Sequence, residues 1–268
     1  MFNIFKSHKK SAKGKHTKAQ PLFECLGADM HCHLLPGVDD GSKSDVESAT
    51  CLKVMQDAGF NEVYLTPHYY TYKYNNKEDD ILRRFDVFKK AMEQYPTPKL
   101  CGISGEYRYD DGFMPRLNNP SDFLLIANKY LLTELSLHAP FAGYEEAIFD
   151  LQSMDEMRDT EIILAHPERY AFYSTKCDEL EHLKNMGVYF QVNILSLIGF
   201  YGEDCQEKGY ELIEKGWVEF LGTDLHTTLY AQALIDSTYD KKLEKMLGKH
   251  TFLNNQITNP KPIERKTI

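Results

Sequence analysis

Short apolar runs alternate with helical patterns along most of the chain. Beyond residue 26 the two kinds of segment recur about every 25 to 35 residues, a rhythm that predicts alternating strands and helices in a parallel α/β fold. Seven segments have the length and apolar content of buried strands: 27–31, 62–66, 99–105, 130–134, 161–165, 188–193 and 218–223.

Helix signals lie between these strands. Ser44 and Glu47 have the spacing of a capping box and Gly59 supplies a stop, so we expect a helix over 44–58. A second helix is predicted by an apolar stripe along 81–95, others should end near Gly187 and Gly216, and a last helical stretch covers about 229–247. Because nothing separates two domains, we expect one (β/α)7 TIM-like barrel over 26–250, closed or nearly closed. A doubly wound open sheet is the alternative.

Histidines and carboxylates stand at or just past the ends of nearly all predicted strands: His31, His33, His68, Glu106, Glu134, His166, Asp224 and His226. In α/β barrels the C-terminal strand ends and the loops after them form one concave site, so we expect these side chains to converge. Alternate strand residues face the same way, which points His31 and His33 inward and Cys32 outward. One such histidine indicates little, but eight residues in register predict a metal centre.

The loop after the first predicted strand adds a ninth candidate. Asp39 and Asp40 precede Gly41 in a turn, and either aspartate could be a ligand or only a turn or capping residue. Five imidazoles and four carboxylates without a thiolate suit manganese, iron or zinc. Nine ligands exceed the needs of one ion, so the count predicts two or three ions. Such a centre activates water and binds phosphoryl oxygens, which predicts phosphoester hydrolysis.

One arginine has a position suited to phosphate. Arg169 lies just past His166 and could pair with phosphate oxygens, or only with Glu168 or another neighbour. The phosphate-binding loop of nucleotide enzymes, the serine nucleophile elbow and the cysteine–arginine motif of thiolate phosphatases do not occur in the sequence. The bound ions would therefore supply the nucleophile.

Charge divides the chain unevenly. Residues 1–20 hold six lysines and no acid, whereas the rest carries 25 basic and 40 acidic residues, a formal charge of −15. We expect 1–25 to be a basic, disordered tail, 251–268 to be a C-terminal tail, and nucleic acid not to be a ligand. No apolar run is long enough for a transmembrane segment, and no secretory signal is evident, so a cytoplasmic location is expected by default. The six scattered cysteines are interpreted as free thiols.

The motifs occur together in one known family. The string DMHCHLLPGVDDGSKS, followed by TPH, GEYR, LLTELS, AHPERY, QVN and GTDLH, resembles the polymerase and histidinol phosphatase (PHP) superfamily. Within it the sequence is most similar to the bacterial protein-tyrosine phosphatases of capsular and exopolysaccharide synthesis. The likeness spans about residues 28–228 and keeps every motif in order.

This resemblance implies a distorted seven-stranded barrel with three divalent metal ions, commonly manganese, with iron, zinc or magnesium as alternatives. It selects Asp40 over Asp39 and implies the ligands His31, His33, Asp40, His68, Glu106, Glu134, His166, Asp224 and His226. It also implies that Arg108 and Arg169 bind substrate phosphate, and that Arg169, Asp224 and His226 act in catalysis. The implied substrate is a phosphotyrosine protein, a membrane-associated tyrosine autokinase that controls polysaccharide assembly.

One departure from the family pattern is visible. Some members place a basic residue shortly after the last metal histidine, but no Lys or Arg occurs here between Lys215 and Lys241. A small-molecule phosphatase of the histidinol phosphate type stays an alternative, because shared ligands do not encode the leaving group. An amidohydrolase would need a modified lysine where Glu134 stands. A catalytically silent metal-binding regulator is the third alternative.

Overall fold

All the pairings between strands of the described chain are parallel, and the antiparallel pairs are two isolated bridges, Tyr70 with Tyr74 and Ile126 with Tyr130. The structure is a computed structural model that describes residues 15–138, 143–173 and 178–257. Its strands are β1 (Ala28–Asp29), β2 (Glu62–Leu65), β3 (His68–Tyr69), β4 (Lys99–Ile103), β5 (Glu106–Arg108), β6 (Tyr130–Glu134), β7 (Glu161–Ala165), β8 (Tyr189–Asn193) and β9 (Val218–Gly222). They form two parallel sheets with the orders β1-β2-β4 and β3-β5-β6-β7-β8-β9. The predicted parallel α/β class is confirmed.

Two of the predicted strands, 62–66 and 99–105, end at residues 65 and 103, and each is followed by a short strand beyond the predicted segment. Residues 66–67 separate β2 from β3, and residues 104–105 separate β4 from β5. Backbone hydrogen bonds continue across both breaks, because Ser104 N donates to Leu65 O at 2.8 Å and Glu106 N donates to Pro67 O at 3.0 Å. Beyond β1, Cys32 forms a parallel bridge with Leu225, the third residue after β9. The small sheet therefore continues into the large one along β2–β3 and β4–β5, and the bridge at Cys32 joins its β1 side to the segment after β9.

Helices connect the strands. Within the described residues they are α1 (Asp45–Asp57), α2 (Glu78–Met92), α3 (Phe113–Arg116), α4 (Tyr144–Ser153), α5 (Asp178–Asn185), α6 (Ile194–Leu197), α7 (Glu203–Glu214), α8 (Thr228–Ser237) and α9 (Lys241–Leu247). The predicted cap of α1 is present, because the Ser44 side chain accepts a hydrogen bond from Glu47 N. The stretch predicted over 229–247 is two helices, since Asp240 caps a separate helix through Leu243 N.

The strands carry apolar side chains on both faces, as expected for a covered parallel sheet. On β6, Leu131 belongs to the large core beneath the helices, whereas Leu132 belongs to a smaller interior cluster with Met30, Ile163 and Phe220. Glu134 stands two residues after Leu132 and so projects from the same face of β6. The polar strand ends therefore continue the surface that this interior apolar cluster begins.

The packed chain starts before residue 26. Phe23 is fully buried and its N donates to Ala58 O at 2.9 Å, while a Cβ on Gly59, at φ +110°, would lie 2.6 Å from the backbone N of Glu24. The ring of His16 stacks on Tyr239 at 3.6 Å. The aromatic side chain and these backbone contacts hold the segment from residue 15 onward against the domain. Residues 1–14, with most of the basic tail, lie outside the described residues.

The packed chain also continues past residue 250. Asn254 is fully buried, and its amide donates to Ala28 O and Leu221 O at 3.0 and 2.7 Å. Phe252 and Ile257 are buried as well. One amide thus satisfies a backbone carbonyl of β1 and one of β9, and holds this segment against both strands. None of the helices in the described ranges is long and apolar enough to span a membrane.

Candidate metal centre

His31 and His33 lie side by side in the protein interior. Both follow β1 and are fully buried, with their Nε2 atoms 3.2 Å apart. The opposite ring nitrogens are fixed by other residues, because His31 Nδ1 lies 2.7 Å from Gln191 Oε1 and His33 Nδ1 lies 2.9 Å from Asp39 Oδ2. Fixing Nδ1 in this way directs both Nε2 atoms toward a common point, as in metal-binding histidines.

Two carboxylates approach a third histidine without a hydrogen bond between them. His68 Nδ1 lies 2.8 Å from Glu106 Oε2 and 3.4 Å from Glu134 Oε1. All three atoms are buried, and none has a hydrogen-bond partner among the residues that the structure describes. Buried ligand atoms that converge in this way are costly unless a cation joins them, which in the metal-free protein is a proton on His68. This arrangement fits a divalent metal ion.

His166 and Asp224 complete the buried part of the centre. His166 Nε2 is 2.9 Å from Glu106 Oε1, and Asp224 Oδ1 is 3.5 and 3.4 Å from Nε2 of His31 and His33. Both residues have left-handed backbone conformations, with φ values of 38° and 50°. Non-glycine residues rarely adopt this conformation, and it concentrates at functional sites where the surroundings hold it in place.

The two neighbouring aspartates have different surroundings. Asp39 is buried, and besides His33 it accepts hydrogen bonds from the backbone N of Gly41 and of His68 at 2.8 and 3.1 Å. Asp40 is half exposed, with Oδ1 at 3.4 Å from Nε2 of His68 and 3.8 Å from Nε2 of His226. The oxygens of Asp39 are thus engaged in orienting other groups, whereas Asp40 faces the centre.

The side chains that could bind a metal ion fall into four overlapping groups. Within each group the ligand atoms lie within 4.8 Å of one another: His33–His68–His226, His31–His33–Asp224, His31–Glu106–His166 and His68–Glu106–Glu134. Eight of the nine sequence-predicted ligands belong to these groups, and Asp40 lies at their edge beside His68 and His226. Because the groups share residues, their ligand atoms form one continuous cluster.

Burial and neighbouring charges set the protonation of the centre. Burial disfavours the charged form of His68, but Glu106 outweighs it and raises the pKa to about 9. Burial together with the nearby His33 lowers the pKa of His226 to about 4. Burial would raise the pKa of Asp224, but His31 and His226 hold it well below its usual range. Protons on imidazoles therefore balance the buried carboxylates, and an incoming cation has to displace them.

Arg169 stands at the border of the centre. It ends a single 3₁₀ turn, Pro167–Arg169, and its Nη1 donates to Asp224 Oδ2 at 2.7 Å. Its Cζ lies 4.2 Å from the ring centre of Tyr201. Asp224, and not the adjacent Glu168, is thus its ion-pair partner. Arg108 ends β5 and stacks over the ring of Tyr70 at 4.9 Å, one ring away from His68.

Some residues that contact the centre were not among the predicted site residues, because the prediction considered only histidines and carboxylates at strand ends. Asn193 donates to Asp224 Oδ2 at 2.7 Å and accepts from the amide of Gln191 at 2.9 Å, so the two amides connect Asp224 to His31. Tyr201 lies on the loop between α6 and α7 and reaches the centre only through tertiary packing. The sequence offers a signal for Gln191 and Asn193, because two polar residues stand in an otherwise apolar strand. It offers no such signal for Tyr201.

A parallel α/β fold that gathers imidazoles and carboxylates at one end of its strands is typical of metal-dependent hydrolases. The family model described as "Capsular polysaccharide synthesis, CpsB/CapC" matches residues 27–264, and the chain belongs to that family. The family resemblance predicted from the sequence motifs is therefore confirmed.

Relatives and a solved structure agree with this assignment. Tyrosine-protein phosphatase YwqE of Bacillus subtilis (strain 168) is 26% identical over 259 residues, covering 90% of this chain and 98% of the relative. Tyrosine-protein phosphatase CpsB of Streptococcus pneumoniae is 23% identical over 235 residues, covering 85% and 95%. A structure reported for YwqE and CpsB as "unique metal-dependent tyrosine phosphatases" matches with a TM-score of 0.70 and 23% identity, over 88% of this chain and 96% of the other. This match shows that the fold is shared.

Proposed function

We propose that this chain is a metal-dependent protein-tyrosine phosphatase that hydrolyses phosphotyrosine. One observation carries the proposal. Buried ligand atoms of His68, Glu106 and Glu134 converge with no hydrogen-bond partner among the described residues, and Arg169 is held at the border of the same centre. Membership of the CpsB/CapC family and the names of its relatives supply the substrate class.

Three divalent ions are proposed for the centre, most simply manganese, with iron, zinc or magnesium as alternatives. The proposed ligands are His31, His33, Asp40, His68, Glu106, Glu134, His166, Asp224 and His226. Four overlapping donor groups and an all-nitrogen-and-oxygen donor set support this assignment. When bound, such ions activate water and bind phosphoryl oxygens.

The protein's own residues position the substrate and control charge. Arg169 is held by Asp224 from one side and by Tyr201 from the other, so its remaining N–H groups can donate to phosphoryl oxygens. Asp224 faces His31 and His33 with one oxygen and Arg169 with the other, which fixes the phosphate-binding arginine relative to the ligands. With a pKa of about 4, His226 is neutral near pH 7 and keeps a lone pair for a ligand bond. Phenolate is a good leaving group, so no strong general acid is required.

For the fold, we propose a closed barrel of seven strands in which β2 with β3, and β4 with β5, each count as one. The hydrogen bonds across both interruptions and the bridge between Cys32 and Leu225 support it. A closed barrel would bring all strand ends to one mouth and so explain the convergence of ligands from six of the seven strands and the loops after them.

The proposed physiological substrate is a phosphotyrosine protein, namely a membrane-associated tyrosine autokinase of polysaccharide synthesis. We propose that the phosphatase acts on it in the cytoplasm. The family description supports the connection with capsular polysaccharide. A phosphatase that acts on such a kinase would remove the phosphate that regulates assembly.

The proposal is tested on one purified preparation with a phosphotyrosine peptide, a phosphoserine peptide and histidinol phosphate, each with and without manganese. We expect manganese-dependent turnover, with the phosphotyrosine peptide preferred. Equal or greater turnover of histidinol phosphate would refute the tyrosine assignment. Full activity after exhaustive chelation would refute the metal mechanism.

A further inference from the structure

Glu168 is a fully buried carboxylate that is not among the proposed metal ligands. It lies in the 3₁₀ turn that joins His166, a proposed ligand, to Arg169 at the border of the centre. Its Oε1 atom accepts hydrogen bonds from the backbone N of Asn193 at 3.0 Å and from the hydroxyl of Ser196 at 2.7 Å. The side chain therefore connects this turn to the end of β8 and the start of α6.

The surroundings of Glu168 are closely packed. Its second carboxylate oxygen, Oε2, is buried and has no hydrogen-bond partner among the described residues. The adjacent cation, Arg169, pairs with Asp224 instead. Helix α7 covers the side chain, since a Cβ on Gly209 would lie 3.0 Å from Leu197 Cδ2 and 3.8 Å from Glu168 Cγ. Burial of a carboxylate against two neutral donors stabilises a fold only weakly, which favours a role in holding its neighbours in place.

Glu168 and Arg169 are connected by the chain and also by a circuit of hydrogen bonds through the centre. Asn193, whose backbone N donates to Glu168, uses its side-chain amide to donate to Asp224 Oδ2 at 2.7 Å. Arg169 Nη1 donates to the same oxygen at 2.7 Å. Because one carboxylate oxygen accepts both donors, a shift of the turn relative to Asn193 would move Arg169 away from its acceptor.

The residue after Arg169 holds the other side of the same turn. Tyr170 is fully buried, and its hydroxyl donates to Ala165 O at 2.8 Å and accepts from Leu135 N at 2.9 Å. Tyr170 thus fixes the turn against the ends of β6 and β7, whereas Glu168 fixes it against β8 and α6. Arg169 lies between these two residues and is therefore held on both sides.

We propose that Glu168 is a positioning residue for the phosphate-binding guanidinium of Arg169. The inference rests on the proposed phosphatase function and adds a residue that acts through Arg169 without touching the substrate. The two hydrogen bonds to Oε1 keep the turn aligned with Asn193, so that Arg169 stays on Asp224 and presents its remaining N–H groups in a fixed direction. Donors that are oriented before phosphate arrives lose less conformational freedom when it binds.

The test is a double-mutant cycle between Glu168→Ala and Arg169→Ala in the manganese-loaded full chain. Two quantities are measured for each protein: kcat/KM for a phosphotyrosine peptide, and the Kd of inorganic phosphate by calorimetry. We expect Arg169→Ala to lower kcat/KM roughly 10²- to 10³-fold and Glu168→Ala roughly 10- to 100-fold, and both to weaken phosphate binding. In the Arg169→Ala background, Glu168→Ala should change either quantity by less than about twofold, whereas independent roles would give additive losses. Bound manganese, measured by elemental analysis, should not change in Glu168→Ala.

Three further variants separate positioning from a general loss of stability. Glu168→Gln keeps an oxygen that can accept both hydrogen bonds and should retain kcat/KM within about twofold. Ser196→Ala removes one of the two hydrogen bonds and should lower kcat/KM about three- to fivefold, but not in the Arg169→Ala background, and it decides the question if Glu168→Ala does not fold. Glu219→Ala is the control, because Glu219 accepts a hydrogen bond from Phe190 N near the start of β8. It should lower the midpoint of thermal unfolding and leave kcat/KM unchanged.

Different results would contradict the inference and the proposed function. If the parent hydrolyses no phosphotyrosine peptide, the proposed function falls, while the phosphate affinities still test the role of Glu168. A parent that does not bind phosphate overturns both. Additive losses overturn only the inference, and so does a loss of bound manganese in Glu168→Ala, because Glu168 would then act on the ligands. A Glu168→Gln variant as impaired as Glu168→Ala also overturns it, because the hydrogen bonds to Oε1 would then not explain the effect.

Discussion

The interior apolar cluster and the metal centre occupy the same face of the same strands but follow opposite physical rules. Leu132 of β6 is fully buried among apolar side chains, whereas Glu134, two residues later, is nearly as buried among imidazoles and carboxylates. The first residue stabilises the fold by leaving water. Burial of the Glu134 carboxylate is unfavourable, and a bound cation would offset that free energy. A spacing of two residues thus separates stability from function.

The largest effect is expected from a substitution in the metal centre, at Glu134. In Glu134→Gln the shape is kept but the charge is lost, so we expect kcat to fall by roughly 10³-fold or more, because activation of water by the bound ion depends on its ligands. Bound manganese, measured by elemental analysis, should fall as well. The metal-free variant should unfold no earlier than the metal-free parent, since a buried, unpartnered carboxylate oxygen has been removed. A loss of stability without loss of metal would contradict a ligand role.

A substitution in the interior apolar cluster should instead lower stability and leave activity unchanged. Leu132→Ala opens a cavity in the interior cluster and should lower the free energy of unfolding by about 2 to 5 kcal/mol, measured by denaturant titration. The folded fraction should keep its bound manganese and its kcat, because Leu132 touches apolar neighbours and the ligand atoms lie beyond it. A fall in kcat per bound ion would show that the two regions are coupled.

A smaller effect is expected just outside the ligand shell. Asp39 orients His33 and the backbone of His68, so Asp39→Asn should weaken metal affinity by about 10- to 100-fold. At saturating manganese most of kcat should return, in contrast to Glu134→Gln. Ser44→Ala, which removes only the cap of α1, is a control that should change stability and leave metal affinity unaltered. An Asp39→Asn variant with unchanged metal affinity would contradict the orienting role.

The smallest expected effect is on the pH dependence of the metal-free protein. The pKa of His68 is raised to about 9 by Glu106 despite burial, so its protonation favours the folded state. That contribution is complete below the unfolded value of about 6.5 and is lost as pH rises through 9. The midpoint of thermal unfolding of chelated protein should therefore fall between pH 6.5 and 9. In His68→Gln this slope should be shallower, and a slope of equal size would contradict the assignment.

Most of the architecture was readable because it is local. The strands β6 and β7 coincide with the predicted segments, and the capping box places the start of α1 at the residue after Ser44. The short strands β3 and β5 lie beyond the predicted segments 62–66 and 99–105. They depend on how neighbouring strands share hydrogen bonds across the sheet, which no single segment encodes.

The packing of the segment from residue 15 was also outside the reach of local rules. A polar, lysine-rich composition predicts disorder, yet Phe23 inserts into the core beside Gly59. The segment is held by the buried Phe23 ring and by hydrogen bonds to the end of α1 and to α8.

The sequence by itself determined which polar residues stand at the strand ends, and so the candidate ligands, because strand periodicity and the position of polar residues at strand ends are local properties. It could not decide between Asp39 and Asp40 without the family likeness, since adjacent residues in a turn are equivalent until the loop is folded. Only the tertiary structure placed Asp39 behind His33 and Asp40 beside His68 and His226. It likewise brought Tyr201 onto Arg169, because a contact across 32 positions depends on the path of the whole chain.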